Sequence, residues 1–568
     1  MPERILRPFV SADGRRLNLA AYGFLFALCL AFFVPGIASL PPIDRDEPWF
    51  AQATKQMIET HNYVDIRYQE AERYKKPIGI YWLQAASVRL LNPDHLNEIW
   101  AYRIPSLLGA TIAVLLTAAL GALLFTARVG LLAGIMMAGC LVLNAEAHLA
   151  KTDAVLLAAI MVAQYALALA YKEKIRSWKS PFAFWSAVGI GFLIKGPMIL
   201  LVLASTLLWL WRKNKNLGWF AALKPRWGIP YALMLILPWF IAITLASHGA
   251  FLAQSAGKDM LAKLWQGQDR GTVLPPGLYL LAFPVTFFPF SLFALLALPD
   301  AWAARRDQAV AFCLGWIIPT WLIFELSLTK LPHYVMPTYP AIAMLTAKFV
   351  CDGFAMLDQK KRRWLVAAIL SLWLVIGTAL VMGTIFVPYI VDQKWNLYAV
   401  AAGAALIITE AVGIALLFLR ANISALLVVA YGALIFLGVT MGNTFPNIEH
   451  LWLSRDIVRM AEQVKPCARL KIASAPYDEP SLVFLGGTGT KLYLDGAHAS
   501  AEMQKNPCTV AVVEDNRLGA FLNGPQDTGN RSHPVATLRS YSIGNANWRT
   551  INFYTMPQET GQPKDHKP

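Results

Sequence analysis

Charged residues are scarce in this chain: Asp, Glu, Lys and Arg make up 15% of its 568 residues, against 57% hydrophobic residues. Mean hydropathy is +0.46. A soluble chain of this length could not bury that much apolar side chain without leaving large exposed patches, so the soluble globular class is excluded. Cysteine is also sparse, with six residues and neither a CxxC nor an HExxH pattern. That removes a closed structural zinc site. No internal repeat and no long low-complexity linker stands out. Acids are outnumbered, 35 against 50 Lys and Arg, giving a net charge of +15. In a soluble protein that excess would suggest nucleic acid. Here the cause is simpler, basic loops that orient membrane helices, and no nucleic-acid partner is implied.

What the sequence has in abundance is apolar runs of membrane-spanning length, the mark of a multi-pass α-helical membrane protein. The first run, 19–40, follows Arg4, Arg7, Arg15 and Arg16. It is long for a signal peptide and no small-x-small cleavage site follows, so it reads as an uncleaved span with its N-terminus inside. Later spans are expected near 102–125, 129–147, 153–171, 182–195, 197–211, 227–247, 275–298, 309–328, 334–350, 364–386, 398–419 and 423–442. The total is about 13 spans. Threaded from an inside N-terminus, they put the basic clusters 172–179, 212–226 and 360–363 on the inside, as the positive-inside rule requires. The same threading collects Asp46, Glu47, Lys75, Lys76, His148, Lys151, Asp153, Lys195 and Lys330 on the outer side. Charges at a membrane boundary that break the positive-inside trend need a reason. Acids and lysines gathered on one face suggest an outward site for an anionic ligand.

The stretch 41–84 is the polar interruption around which this site is organised. It opens on Asp44, Asp46 and Glu47 and closes on Lys75, Lys76, Pro77, Tyr81 and Trp82. Between them, 49–59 reads as an amphipathic helix with Phe50, Ala53, Met57 and Ile58 near one face, and a second helix starts at Pro77. Two helices lying on a membrane surface, acids at one end and lysines at the other, would make a site; a solvated loop with snorkelling lysines is the alternative. Asp46 also suits a helix cap, Lys195 could snorkel, His333 suits a structural hydrogen bond, and Lys75 reads as a solvated neighbour of Lys76.

Two domains are expected: a transmembrane domain, 1–443, whose first outer loop with its juxtamembrane helices covers 41–100, and a polar α/β domain, 444–568. In the second, 454–464 reads as a helix, and 470–475, 492–494, 508–513 and 550–555 as strands. An odd span count puts this domain outside the membrane on the extracytoplasmic side. Cys467 and Cys508 both fall in it, and an oxidising compartment would permit a bridge between them.

Five motifs carry a resemblance. Asp46-Glu47-Pro48-Trp49-Phe50-Ala51 resembles the acidic start of the first outer loop in lipid A aminoarabinose transferases, relatives of the protein O-mannosyltransferases. Lys76-Pro77-Ile78-Gly79-Ile80-Tyr81-Trp82, Lys151-Thr152-Asp153, Leu193-Ile194-Lys195-Gly196-Pro197 and Thr329-Lys330-Leu331-Pro332-His333-Tyr334 resemble later motifs of that family, in its order. The resemblance covers about residues 15–445 in pattern. It implies a C-type (GT-C) glycosyltransferase fold and transfer of a sugar from a polyprenyl-phosphate donor to an acceptor at the outer face of a bacterial inner membrane.

The chemistry agrees with that implication. Negative charge grows on the leaving phosphate and needs cations. Lys76 leads as the clamp, then Lys195 and Arg270. Asp46, placed by the motif match, would take the acceptor's proton or position an acceptor phosphate, with Asp153 as a second acid. Lys330, Tyr334, Tyr81 and His333 would touch the sugar or phosphate. Attack opposite the phosphate would invert the anomeric carbon. A divalent cation bridging phosphate and carboxylate fits the chemistry, with its ligands unassigned. The acceptor reads as a glycolipid, lipid A or another part of lipopolysaccharide. A protein hydroxyl acceptor stays open, as does a non-enzymatic lipid-sugar transporter, although clustering of charge at one boundary rather than mid-bilayer disfavours the last.

Overall fold

The structure is a computed structural model that describes residues 7–11, 14, 16–44, 46–254, 275–522, 533–542 and 547–556. Among these residues seven helices are long and apolar enough to cross a membrane, or eight if one bent pair counts as a single span. The seven include α4 (Trp100–Leu124), α7 (Asp153–Tyr171), α10 (Pro225–Ala246), α13 (Gln308–Leu326), α15 (Arg363–Asp392), α16 (Leu397–Phe418) and α17 (Asn422–Val439). Shorter helices fill the bundle: α1 (Leu19–Phe33), α8 (Lys179–Lys195), α9 (Met198–Asn214) and α14 (Tyr339–Asp352). The chain is thus a multi-pass helical membrane protein.

Two expected spans are broken, and each break has a local cause. The run 129–147 is two helices, α5 (Ala127–Gly139) and α6 (Leu141–Ala147), bent by 61°. Cys140 between them is extended, and the Leu141 amide donates to the Phe288 carbonyl at 3.0 Å instead of continuing the first helix. The run 275–298 is likewise split into α11 (Leu278–Thr286) and α12 (Ser291–Ala303), with Pro289 in the break, where it offers no N–H to a helix. The short 3-10 turn Pro332–Thr338 precedes α14.

The polar stretch after α1 forms α2 (Glu47–Thr60), a two-stranded hairpin β1 (Arg67–Tyr68) and β2 (Ala71–Glu72), and α3 (Gly79–Leu91). The amphipathic pattern of α2 holds, with Phe50, Ala53, Met57 and Ile58 buried. Its polar side is covered too: Gln52, Thr54 and Lys55 are also buried. The helix therefore does not lie open on a membrane surface as its pattern suggested. A second helix, α19 (Pro480–Gly486), packs across it. Lys55 reaches the Phe484 carbonyl at 3.1 Å, near the negative end of α19, and Asn97 at 2.5 Å. Burial pushes the Lys55 amine down to about 8, with Glu59 opposing.

Residues beyond 452 form a layered unit around a five-stranded sheet. Its elements are α18 (Leu453–Val464), β3 (Lys471–Ala475), α19, β4 (Lys491–Leu492), α20 (Gly496–Lys505), β5 (Thr509–Glu514), α21 (Leu518–Leu522), β6 (Ala536–Ser542) and β7 (Asn547–Tyr554). The strand order is β4-β3-β5-β7-β6, with β4, β3 and β5 parallel and the last two pairings antiparallel. Alternate residues of β5 enter opposite cores. Val510 and Val512 join Leu453 and Ile457 of α18, while Ala511 and Val513 join Met503 of α20 and Phe521 of α21. Central strands buried on both faces explain the continuous apolar run of β5. Cys467 and Cys508 are bridged, tying the approach to β3 to the approach to β5.

Candidate functional site

The site is built from the turn Leu149–Thr152 that joins α6 to α7. Three elements hold its backbone. The Ala150 amide donates to Glu47 Oε1 at 2.8 Å, the Ala150 carbonyl accepts from Gln84 Nε2 at 2.9 Å, and the Lys151 carbonyl accepts from Ser106 Oγ at 3.1 Å. Gln84 is set in turn by the Thr54 hydroxyl at 2.7 Å.

Glu47 is itself locked. Arg103, with no exposed surface, grips it with two bonds, Nε to Oε1 at 2.7 Å and Nη2 to Oε2 at 2.8 Å. The remaining donors of Arg103 reach the carbonyls of Ile37, Leu40 and Pro41 at 2.7–3.0 Å. Every bond of this buried pair is answered, which is the condition under which burying two charges can be tolerated.

From that frame four charges converge. Lys151 Nζ meets Glu146 Oε1 at 2.9 Å, and Lys195 Nζ meets Asp153 Oδ1 at 2.5 Å. His333 stands between the two carboxylates, 3.5 Å from Glu146 and 3.7 Å from Asp153, too far for strong hydrogen bonds. The Lys195 ammonium lies 5.2 Å from the Tyr334 ring centroid, within cation–π range. Asp153, Lys195 and Tyr334 line a small cavity together with apolar residues that include Leu156, Ile160, Val202 and Phe324. Two glycines allow the helices to come this close. A Cβ at Gly109 on α4 would meet the Ala154 backbone at 2.8 Å, and one at Gly79 on α3 would meet the Leu193 carbonyl oxygen at 2.8 Å.

The electrostatics follow from these pairings. Burial works against charge on Lys151, but Glu146 and Asp153 on either side more than offset it and hold the ammonium charged; Asp46 adds to this effect. Burial drives the His333 imidazole down to about 3, aided by the neighbouring lysines against the pull of Asp153, so the ring is neutral near pH 7.

The expected site residues separate into groups. Asp153, Lys195, His333 and Tyr334 are brought together. Asp46 occupies the N-cap position of α2, exposed, yet its side chain makes no capping hydrogen bond. Lys330 is buried and donates to the Ser327 carbonyl at 2.6 Å. Lys76 is half-buried and Lys75 exposed in the segment that leads into α3, and Tyr81 is buried on α3. Arg270 lies outside the described residues. Among the described residues no cluster of three or more His, Cys, Asp or Glu is arranged to hold a metal ion. The sequence reading passed over Glu146, Arg103 and Arg73. Glu146 sits in a run read as an unbroken span, where an acid is itself a signal of function.

Comparison with known proteins bears on the same region. Residues 75–241 match the family model described as dolichyl-phosphate-mannose-protein mannosyltransferase. The chain is 26% identical over 311 residues to an undecaprenyl phosphate-alpha-4-amino-4-deoxy-L-arabinose arabinosyl transferase of Pseudomonas aeruginosa (strain LESB58), covering 53% of this chain and 54% of that protein. It is 24% identical over 350 residues to arabinosyl transferase 1 of the same description from Pseudomonas fluorescens, covering 60% of each. The chain spans about half the length of the curated relatives it matches, 54% of the first. Among solved structures, it resembles ArnT from Cupriavidus metallidurans bound to undecaprenyl phosphate, with a TM-score of 0.71 at 17% identity, covering 94% of this chain and 98% of that one. The apo state of the same protein gives a TM-score of 0.70. The resemblance read from the motifs therefore holds in sequence and in fold: the chain has the C-type glycosyltransferase fold of the aminoarabinose transferase type.

Proposed function

We propose that this chain is an integral membrane glycosyltransferase. It moves a sugar from a polyprenyl-phosphate donor to a glycolipid acceptor, lipid A or another part of lipopolysaccharide, with inversion at the anomeric carbon. The observation that carries this reading is the buried group of Glu146, Lys151, Asp153 and Lys195 beside exposed Asp46, next to a small cavity lined largely by apolar residues in a chain with this fold. A lipid-borne phosphate needs both features together, apolar surroundings for its tail and charge at the head.

In this reading Asp46 serves the acceptor. It takes the proton from a hydroxyl, or positions a phosphate that is already ionised. Its exposure and its freedom from a capping bond suit a group that must meet a second substrate. Asp153 is the second acid, held in one orientation by Lys195. Lys195 neutralises Asp153, so it supports that carboxylate, and Lys76 takes the donor phosphate. Lys330, Tyr334, Tyr81 and His333 touch the sugar or phosphate, and Arg270, outside the described residues, is kept as a candidate third cation. The relatives' names make 4-amino-4-deoxy-L-arabinose on undecaprenyl phosphate the first donor to test. We place the N-terminus in the cytoplasm and the site and the 444–568 domain in the periplasm, with about 13 spans in 1–443.

The family model over 75–241 favours a second reading, a protein hydroxyl as acceptor. Purified protein in nanodiscs, given the lipid-linked donor with lipid A or with an unfolded peptide, separates the two. Sugar transferred to lipid A supports the main reading, and transfer to peptide alone replaces it. Lipid-linked sugar carried across liposome membranes without transfer to either acceptor would mark a transporter.

A further inference from the structure

Among the described residues, the loop between β2 and α3 buries a cation that no carboxylate pairs with. Arg73 is 7% exposed. Its guanidinium carbon lies 4.7 Å from the Trp49 ring centroid and 5.4 Å from that of Phe50. Among the described residues its Nε has no hydrogen-bond partner. Two phenols share the space. Tyr81 on α3 has its ring 5.6 Å from Phe50, and Tyr68 on β1 has its ring 4.1 Å from Trp49. Neither hydroxyl makes a well-formed hydrogen bond among the described residues, and the Arg73 guanidinium is the polar group near the Tyr81 oxygen. Burial raises both phenols above their ordinary range and the nearby guanidinium opposes it, while Asp478, Asp44 and Glu479 raise Tyr68 further.

Three buried donors from three segments, the Arg73 Nε and the two hydroxyls near its guanidinium, thus have no acceptor among the described residues. Leaving one such donor unanswered is costly, and buried polar groups in folded proteins nearly always find a partner. What would answer all three is an acceptor-only group with negative charge. A guanidinium with two hydroxyls matches a tetrahedral oxyanion, because its planar fork presents several donors at fixed angles. The lysines of the cluster differ in this respect: Lys151 and Lys195 already hold carboxylates. Arg73 also lies three residues before Lys76 in the chain.

We propose that Arg73, Tyr68 and Tyr81 form a receptor for the phosphate of a lipid substrate. On the glycosyltransferase reading, from which the identity of the lipid is taken, the phosphate is that of the polyprenyl donor.

The test is binding to the full chain in nanodiscs, compared for polyprenyl phosphate, neutral polyprenol and bis-phosphorylated lipid A. No turnover is needed, so a failure of the proposed transfer reaction leaves the result readable. Arg73→Gln should weaken polyprenyl phosphate by at least about tenfold, from the loss of charged hydrogen bonds. Polyprenol should bind it as it binds the native chain. The pair Tyr68→Phe with Tyr81→Phe keeps the rings and removes only the hydroxyls. It should weaken polyprenyl phosphate severalfold, and it decides the matter where Arg73→Gln does not fold. If both variants lose lipid A and keep polyprenyl phosphate, the receptor stands and belongs to the acceptor. Native-like binding of both phosphorylated lipids by the variants would overturn it.

Discussion

Two arginines are buried in the polar stretch after α1 and its neighbour α4, and they are opposites. Arg103 spends its donors on Glu47 and three carbonyls. Arg73 lies on two aromatic rings with its Nε unanswered among the described residues. Both are hidden from solvent, so burial alone does not separate structure from function. The separation lies in satisfaction of hydrogen bonds. A charge whose partners are all supplied by the protein belongs to the fold, and one whose partners are missing leaves a place for a ligand.

The sharpest way to break that comparison is to remove each guanidinium in turn. Arg103→Met strands Glu47 in the interior, and breaking a buried pair in this way costs about 3–5 kcal/mol. We expect a large drop in melting temperature or loss of folded protein in size-exclusion chromatography. Arg73→Met removes a charge that has no carboxylate partner among the described residues and keeps an apolar stem against Trp49 and Phe50, so thermal stability should stay within about 1 kcal/mol of native. Equal destabilisation by both variants would erase the distinction.

Asp46→Asn tests the exposed carboxylate against the buried ones. Asn caps a helix nearly as well as Asp, so the fold should persist. Single-turnover transfer to a hydroxyl acceptor should fall by about a hundredfold with donor binding kept. Near-normal transfer would remove Asp46 from the chemistry. Gly79→Ala tests whether close packing positions the site. Its Cβ would press on the Leu193 carbonyl, two residues before Lys195, at a cost of about 1–3 kcal/mol. Transfer should drop together with melting temperature, whereas an unchanged melt would show that α8 gives way freely.

The smallest effect concerns Asp44, at the seam between the polar stretch after α1 and α19. Burial lifts its carboxyl to about 7, Ser481 lowers it in part, and Glu479 and Glu47 raise it further. A carboxyl raised in the folded state contributes stability that is complete below its unfolded value, about 3.9, and lost as pH rises through about 7. Docking of the C-terminal unit should therefore loosen between about pH 4 and pH 7, read as faster limited proteolysis after α17. Asp44→Asn should flatten that dependence. An unchanged profile in the variant would assign it to other groups.

Much of the local structure was legible. The apolar face of α2 was visible as spacing, and the strands expected at 470–475 and 508–513 are β3 (Lys471–Ala475) and β5 (Thr509–Glu514). The break between α8 and α9 was visible at Lys195-Gly196-Pro197, where Gly196 takes a positive φ of 64°. The bend at Cys140 was not, although Gly139 stands beside it, because the run also holds Gly130 and Gly134 within an unbroken helix; a carbonyl from Phe288, far along the chain, makes the break possible. Glu146 was missed for the same reason, since a straight helix there would carry no sign of where its acid points.

The sequence by itself determined that the chain is membrane-embedded, which segments are helical, and which residue types stand ready for phosphate and sugar chemistry. These follow from hydropathy and from backbone periodicity, both of which are local properties. Tertiary structure alone decided the partners. It joined Lys195 to Asp153 across 42 residues, Arg103 to Glu47 across 56, and set α19 on α2. It also left Arg73 without a carboxylate partner among the described residues. Charge pairing is set by distances of a few ångströms between segments remote in sequence, and no spacing along the chain encodes those distances.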